Sequence, residues 1–234
     1  MIKVSQLSKR YGYRPVLQGI ELAVRRGEVV ALLGPNGAGK STLLRILAGL
    51  AQANHGRVEV AGCRLPQQAA AARAQLGYLG HQPLLYEDLS ADQNLEFFAR
   101  LYGVAAAAAR IDELLELVGL QARRRERVRG FSRGMLQRLA LARALLHRPR
   151  VLLLDEPHSA LDLHTADLLD TVLRAEAHRG VAILLASHDL ERVGGLAQRA
   201  VLLAQGRIAA QLPKAQLGRR LPGAYQHAVE RANA

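Results

Sequence analysis

Residues 28–42 read EVVALLGPNGAGKST. A short apolar run passes directly into a glycine-rich segment that fits G-x-x-x-x-G-K-[ST], and STLLRILAG continues behind it with helical spacing. Each residue type has a physical reason. Gly34, Gly37 and Gly39 let the backbone wrap a phosphate with several N–H groups facing inward. The helix behind them points its positive end at the same place. Lys40 supplies a cation to the β- and γ-phosphates, and Ser41 a hydroxyl for Mg²⁺. Gly34, Pro35, Asn36, Gly37, Ala38, Gly39, Lys40, Ser41 and Thr42 are therefore expected to form one phosphate-binding loop. The competing reading is a plain glycine-rich turn. From average composition the pattern arises by chance in roughly one chain of this size per hundred, and the strand before it and helix after it make chance rarer still.

Three more apolar runs share this grammar. LGYLGHQ (76–82) ends on His81 and Gln82, VLLL (151–154) on Asp155 and Glu156, and VAILLA (181–186) on Ser187 and His188. Short, nearly continuous apolar runs suit strands buried on both faces of a parallel sheet. Ligands of such sheets sit outside the carboxyl ends of the strands, so the four polar ends are expected to converge on one site. A carboxylate at a buried strand end needs a partner, and for Asp155 a cation such as Mg²⁺ is the natural one. Glu156 beside it has the chemistry of a general base that polarises water. His188 could hydrogen-bond a γ-phosphate. Taken alone, Asp155–Glu156 reads equally well as a cap leading into Pro157, a histidine after a strand is more often structural, and Gln82 carries no role by itself.

Between the strands lie helical patterns at 91–102, 107–118, 132–147 and 164–179, punctuated by Gly103, Pro149 and Gly180. The early segments IKVSQLSKRY and PVLQGIELAVRRGE alternate and read as antiparallel strands, and AVLLAQGRIAAQL reads as a hairpin about Gln205-Gly206. The class is α/β: a core with a mostly parallel sheet, an N-terminal antiparallel β-subdomain, and an α-helical insert over about 83–150. The tail from Pro213 has no evident role.

Composition narrows the partners. Half of the 234 residues are hydrophobic and 22% are charged, enough for a sizeable core. One cysteine, Cys63, makes neither a disulfide framework nor a metal site. MIKVSQLSKRYG lacks the apolar stretch of a secretory signal, and no run approaches the ~18 apolar residues of a membrane helix. A cytosolic chain is expected. The formal charge of +12 invites nucleic acid or an anionic membrane surface. However, only four of the 32 basic residues are lysines, and an arginine skew beside many alanines and leucines also fits a coding bias. The densest cluster, ARRRERVR (122–129), reads as a solvated face.

FSRGMLQR (131–138) adds a helix start at Ser132 and Gly134, and a helix N-terminus attracts anions. Taken together and in this order, the pieces resemble the ATP-binding cassette of ABC transporters over about residues 2–212. The resemblance makes Tyr11 the aromatic that stacks on adenine, in preference to Tyr13. GPNGAGKST is then Walker A, Gln82 the Q-loop, FSRGMLQR the signature, VLLLDEP Walker B, SALD (159–162) the D-loop and His188 the switch histidine. It implies ATP and Mg²⁺ as cofactors, with Ser41, Gln82 and Asp155 toward the metal and Glu156, His188 and Gln82 toward catalysis. Ser132, Gly134 and Asp162 then face nucleotide. It also implies a RecA-like P-loop NTPase core over about 1–82 and 151–212, with residues 213–234 outside the cassette.

The family signature usually reads Leu-Ser-Gly-Gly-Gln. Here Ser132 and Gly134 are kept, while Phe131, Arg133 and Met135 replace the others. His158 stands where the family often has Thr or Ser. In the family, the signature of one chain faces the γ-phosphate held by another. The implied active form is thus a homodimer on transmembrane permease subunits at the cytoplasmic face of the cell membrane, without direct nucleic-acid contact. GHQPLLYEDLSADQNLEFFARLYG with FSRGM looks most like the haem-exporter ATPase of cytochrome c biogenesis. A drug, lipid or polysaccharide exporter is the alternative. Outside transport, a soluble ABC ATPase acting on nucleic acid or ribosomes would suit the charge. Its translation-type members carry two cassettes and its repair-type members a long coiled coil, and this chain has one cassette and a short insert. A P-loop kinase would need no FSRGM, SALD or His188, and a nucleotide-gated module that does not hydrolyse would not need Glu156.

Overall fold

The computed structural model describes residues 1–159 and 161–233. Strands β1 (Ile2–Tyr11) and β2 (Arg14–Val24) form the expected antiparallel pair. Strand β3 (Val29–Leu33) leads into helix α1 (Lys40–Leu47). Then come β4 (His55–Val60), β5 (Cys63–Leu65), the short helix α2 (Ala69–Arg73) and β6 (Leu76–Leu79). Helices α3 (Ala91–Tyr102), α4 (Ala107–Leu117) and α5 (Arg133–Leu145) follow before β7 (Val151–Asp155). The chain closes with α6 (Leu163–His178), β8 (Ala182–Ala186), α7 (Leu190–Leu196), β9 (Arg199–Ala204), β10 (Arg207–Pro213) and α8 (Lys214–Asn233).

Two sheets result, β2-β1-β4-β5 and β10-β9-β3-β8-β7-β6. In the larger one β9, β3, β8, β7 and β6 are mutually parallel, and only β10 runs antiparallel, at the edge. The four strands read from sequence as delivering polar groups, β3, β8, β7 and β6, are consecutive neighbours. The apolar runs are continuous because successive side chains enter two different cores. Val29, Ala31 and Leu33 of β3 pack among α3–α6 and α8, whereas Val30 and Leu32 pack toward α1 and the smaller sheet. Strand β7 divides the same way: Leu152 and Leu154 on one side, Val151 and Leu153 on the other.

The helical patterns are present within a residue or two of their expected ends. Ser90 caps α3 with a full capping box to Gln93, and Gly103 ends it in the left-handed region at φ 64°. Gln205 (φ 47°) and Gly206 (φ 73°) make the two-residue turn between β9 and β10. The tail is a helix: Leu217, Leu221 and Ala228 of α8 enter the larger core.

Candidate active site

The segment 34–42 follows β3 as a glycine-rich loop that ends in α1. Gly34, Gly37 and Gly39 take φ of 151°, 78° and 107°, conformations that side-chain-bearing residues rarely adopt. At Gly39 a Cβ would also come within 2.8 Å of Leu17 Cδ2 and 2.9 Å of the Val16 carbonyl oxygen, so close approach of β2 reinforces the backbone requirement. Lys40 is buried, 8% exposed, and its Nζ donates to the carbonyls of Gly34 (2.7 Å) and Pro35 (3.1 Å). The ammonium is thereby folded back over the loop. Burial lowers its pKa, while the negative charges of Glu156 and Asp155 work against that shift.

An open cleft of about 950 Å³ lies over this loop. Pro35 to Thr42 line its floor, Asp155 and Glu156 one side, and Tyr11 the other. Tyr11 is half exposed with Lys9 Nζ 4.7 Å from its ring centroid; Tyr13 is fully exposed and lies outside the cleft. Arg14, Val16, Gln18 and the Gln205–Gly206 turn also line it. Sequence reasoning missed these four. The hairpin turn was legible, but its docking was not: Gln18 N–H donates to the Gly206 carbonyl at 2.8 Å, across nearly the whole chain.

Asp155 ends β7, buried and in register with Ala186 of β8. Glu156 turns away from the strand at φ 52°, held by its N–H donating to the Ala186 carbonyl at 3.0 Å. Its carboxylate Oε2 lies 2.8 Å from His188 Nδ1. Adjacency of β7 and β8 thus joins two residues 32 positions apart. An ionised Glu156 can only accept, so the proton of this bond sits on His188 Nδ1. The oxygen donors Ser41 and Asp155 lining one cleft suit a hard divalent cation that takes its remaining ligands from phosphates. Among the described residues no cluster of three or more His, Cys, Asp or Glu could hold a metal by itself.

Other expected site residues stand apart from this cleft. Gln82 is exposed in the loop after β6, the edge strand that pairs with β7, and is not among the residues lining the cleft. Ser132 caps α5, its Oγ accepting from Met135 N–H at 3.3 Å, and neither it nor Gly134 lines the cleft of its own chain. Asp162 caps α6, accepting from Thr165 N–H (2.8 Å) and Oγ1 (3.1 Å), and those hydrogen bonds hold its carboxyl below the ordinary range. Of the SALD segment, Ala160 lies outside the described residues. Helix α5 does reach the loop after β7 by another residue: Gln137 Nε2 donates to the Pro157 carbonyl at 3.1 Å.

The ABC transporter family pattern matches residues 17–159, from β2 through the loop after Glu156. The chain belongs to the ABC transporter family. The cassette is 43% identical over 213 residues to the daunorubicin resistance ATP-binding protein DrrA3 of Streptomyces coeruleorubidus, covering 90% of this chain and 67% of that one. It is 38% identical over 208 residues to the Nod factor export ATP-binding protein I of Paraburkholderia xenovorans, covering 88% and 68%. Among solved structures, an ATP-binding subunit of an ABC transporter superposes with TM-score 0.89 at 30% identity over the whole of both chains. A dimeric ATP-binding cassette in a post-hydrolysis state with ADP and Pi superposes with TM-score 0.82 at 25% identity, covering 92% of this chain and 99% of that one. The chain is an ABC ATPase, the ATP-binding subunit of a transporter, with the P-loop α/β fold. No helix among the described residues is long and apolar enough to cross a membrane.

Proposed function

We propose that this cassette powers export across a membrane, working as one half of a homodimer seated on permease subunits at the cytoplasmic face. The observation that carries the reading is the Glu156–His188 pair, 2.8 Å apart, beside a cleft lined by Lys40, Ser41 and Asp155. In this reading the 34–42 backbone and Lys40 hold the phosphates, and Tyr11 packs against the adenine. Ser41 and Asp155 would hold Mg²⁺, which when bound would neutralise phosphate charge. Glu156 takes the proton of the attacking water. His188 donates Nδ1–H to Glu156 and fixes the carboxylate. Ser132 and Gly134 face the ATP of the partner chain. Asp162 shapes the start of α6 and through it the surface offered to that partner.

The exposed side chains Leu84, Tyr86, Phe97 and Leu101 support a membrane subunit docking at 83–103. Phe97 and Leu101 share one face of α3, and Tyr86 meets Phe97 edge-on with ring centroids 4.9 Å apart. For the cargo, the drug-resistance and Nod-factor-export names of the two relatives favour an amphipathic small molecule. Haem export, to which the likeness at 80–103 pointed, gains no support from those names. The test is to isolate the tagged chain from detergent-solubilised membranes and assay the reconstituted complex in vesicles. The expected result is a co-purifying polytopic membrane protein and ATP-dependent movement of an amphipathic drug. Isolation with nucleic acid that survives a high-salt wash, and with no membrane protein, would overturn the reading.

A further inference from the structure

A second set of contacts closes behind the Glu156–His188 pair. His158, two residues after Glu156, sets Nε2 2.7 Å from Asp170 Oδ1 on α6. The other oxygen of Asp170 accepts from Arg192 Nη1 on α7 at 2.9 Å. Arg192 N–H donates to Oδ1 of Asp189, the cap of α7 and the neighbour of His188, at 3.0 Å. The contacts form a ring that leaves Glu156 along the backbone to His158, crosses Asp170, Arg192 and Asp189, and returns through His188 to the Glu156 carboxylate. Asp167 on α6 also binds Arg192 at 2.9 Å, from the solvent side.

The ring is built for order. The side chains of His158 and Asp170 are 9% and 8% exposed. Burial pushes the Asp170 carboxyl up, yet hydrogen bonds and charge from His158 and Arg192 outweigh it and hold the group below the ordinary carboxylate range. Asp170 is therefore an anion that accepts from both neighbours. His158 Nδ1 is buried without a hydrogen-bond partner among the described residues. An anionic Asp170 can only accept, so the Nε2 proton of His158 is the one aimed at it. A donor fixed by a buried anion, itself fixed by an arginine, constrains direction as well as distance.

We propose that His158 is a positioning residue for ATP hydrolysis: through Asp170 and Arg192 it locks the loop after β7 to the start of α7, and so sets how Glu156 meets His188. The proposal rests on Glu156 being the base. The experiment compares His158→Leu, which keeps bulk but removes the donor, with His158→Gln, whose amide reaches the Nε2 position. Both are made in the wild-type chain and in Glu156→Gln, and kcat and KM for ATP are measured on the purified full chain. A misplaced reacting group costs rate through orientation. His158→Leu should lower kcat about tenfold with KM for ATP unchanged, and His158→Gln should restore most of it. In Glu156→Gln the same His158→Leu change should have no further effect on residual turnover, because the group being positioned is gone.

An equal fall in both backgrounds, or wild-type kcat in His158→Leu, overturns the proposal. If His158→Leu does not fold, Arg192→Gln breaks the ring from its more exposed end and is held to the same two criteria. Near-wild-type turnover by Glu156→Gln alone would remove the base assignment, and with it the reason for the ring, whatever the His158 variants do.

Discussion

Two regions of this cassette are read from glycine and serine beside a helix start, and they are built in opposite ways. The loop 34–42 is complete within one chain: its lysine is buried and tied to two carbonyls, and Asp155 and Glu156 close one side. The start of α5 has a satisfied cap and nothing else. Ser132 is exposed, its oxygen is used by Met135 N–H, and no part of its own chain's cleft reaches it. A complete phosphate cradle has its counter-charges in place before the ligand arrives. The helix start offers N–H groups and a partial positive charge with no such cradle around it. The contrast teaches that the phosphate loop is assembled within one chain, whereas the start of α5 lines no part of its own chain's cleft.

The contrast breaks first at Lys40. Lys40→Ala removes the cation nearest the most charged phosphates, and ATP binding by calorimetry should fall below detection; unchanged affinity would place the nucleotide elsewhere. Glu156→Gln keeps shape and hydrogen-bonding reach but cannot take a proton. Turnover should drop by ~10²–10⁴-fold while ATP affinity persists, and light scattering should report dimer accumulating with ATP. Turnover near wild type would shift the search for the base to His188.

Mixing sharpens the comparison directly. Lys40→Ala and Ser132→Arg homodimers should each be inactive. Combined, they form heterodimers in which one site carries both lesions and the other joins intact Lys40 to intact Ser132. ATPase activity should reappear; its absence, with subunit exchange verified and single-site turnover established in a wild-type mixture, would mean that Ser132 serves its own chain. The smallest effect is the cap alone. Ser132→Ala should cost ~1 kcal/mol of stability, a fall in Tm of ~2–4 °C, with ATP affinity of the isolated monomer unchanged. A matching loss of monomer affinity would join the two regions into one site.

Much of this was legible before any coordinates. The phosphate loop is local: nine consecutive residues, a strand ahead and a helix behind, with the glycines required by φ and by the approach of β2. The buried strands announced themselves because a strand with a core on each face has no polar alternation. What escaped were short or mixed elements. HGRVEV is an edge-length strand with its apolar side chains only at Val58 and Val60, and LERVGGL carries two glycines inside a helix that tertiary packing sustains. His158 had no account from sequence because its partner Asp170 is 12 residues away on α6, and Asp170 in turn is held by Arg192 on α7.

The sequence by itself determined the phosphate chemistry, the α/β class and the family, since each rests on residues contiguous in the chain or on a periodicity. Only the tertiary structure decided which polar ends meet. The strand order β3-β8-β7-β6 puts His188 against Glu156 and sets Gln82 after the edge strand beside β7, while β9 and β10 bring the Gln205–Gly206 turn to the cleft. Strand order is set by how both faces of a sheet are covered, a property of the whole chain that no single segment encodes.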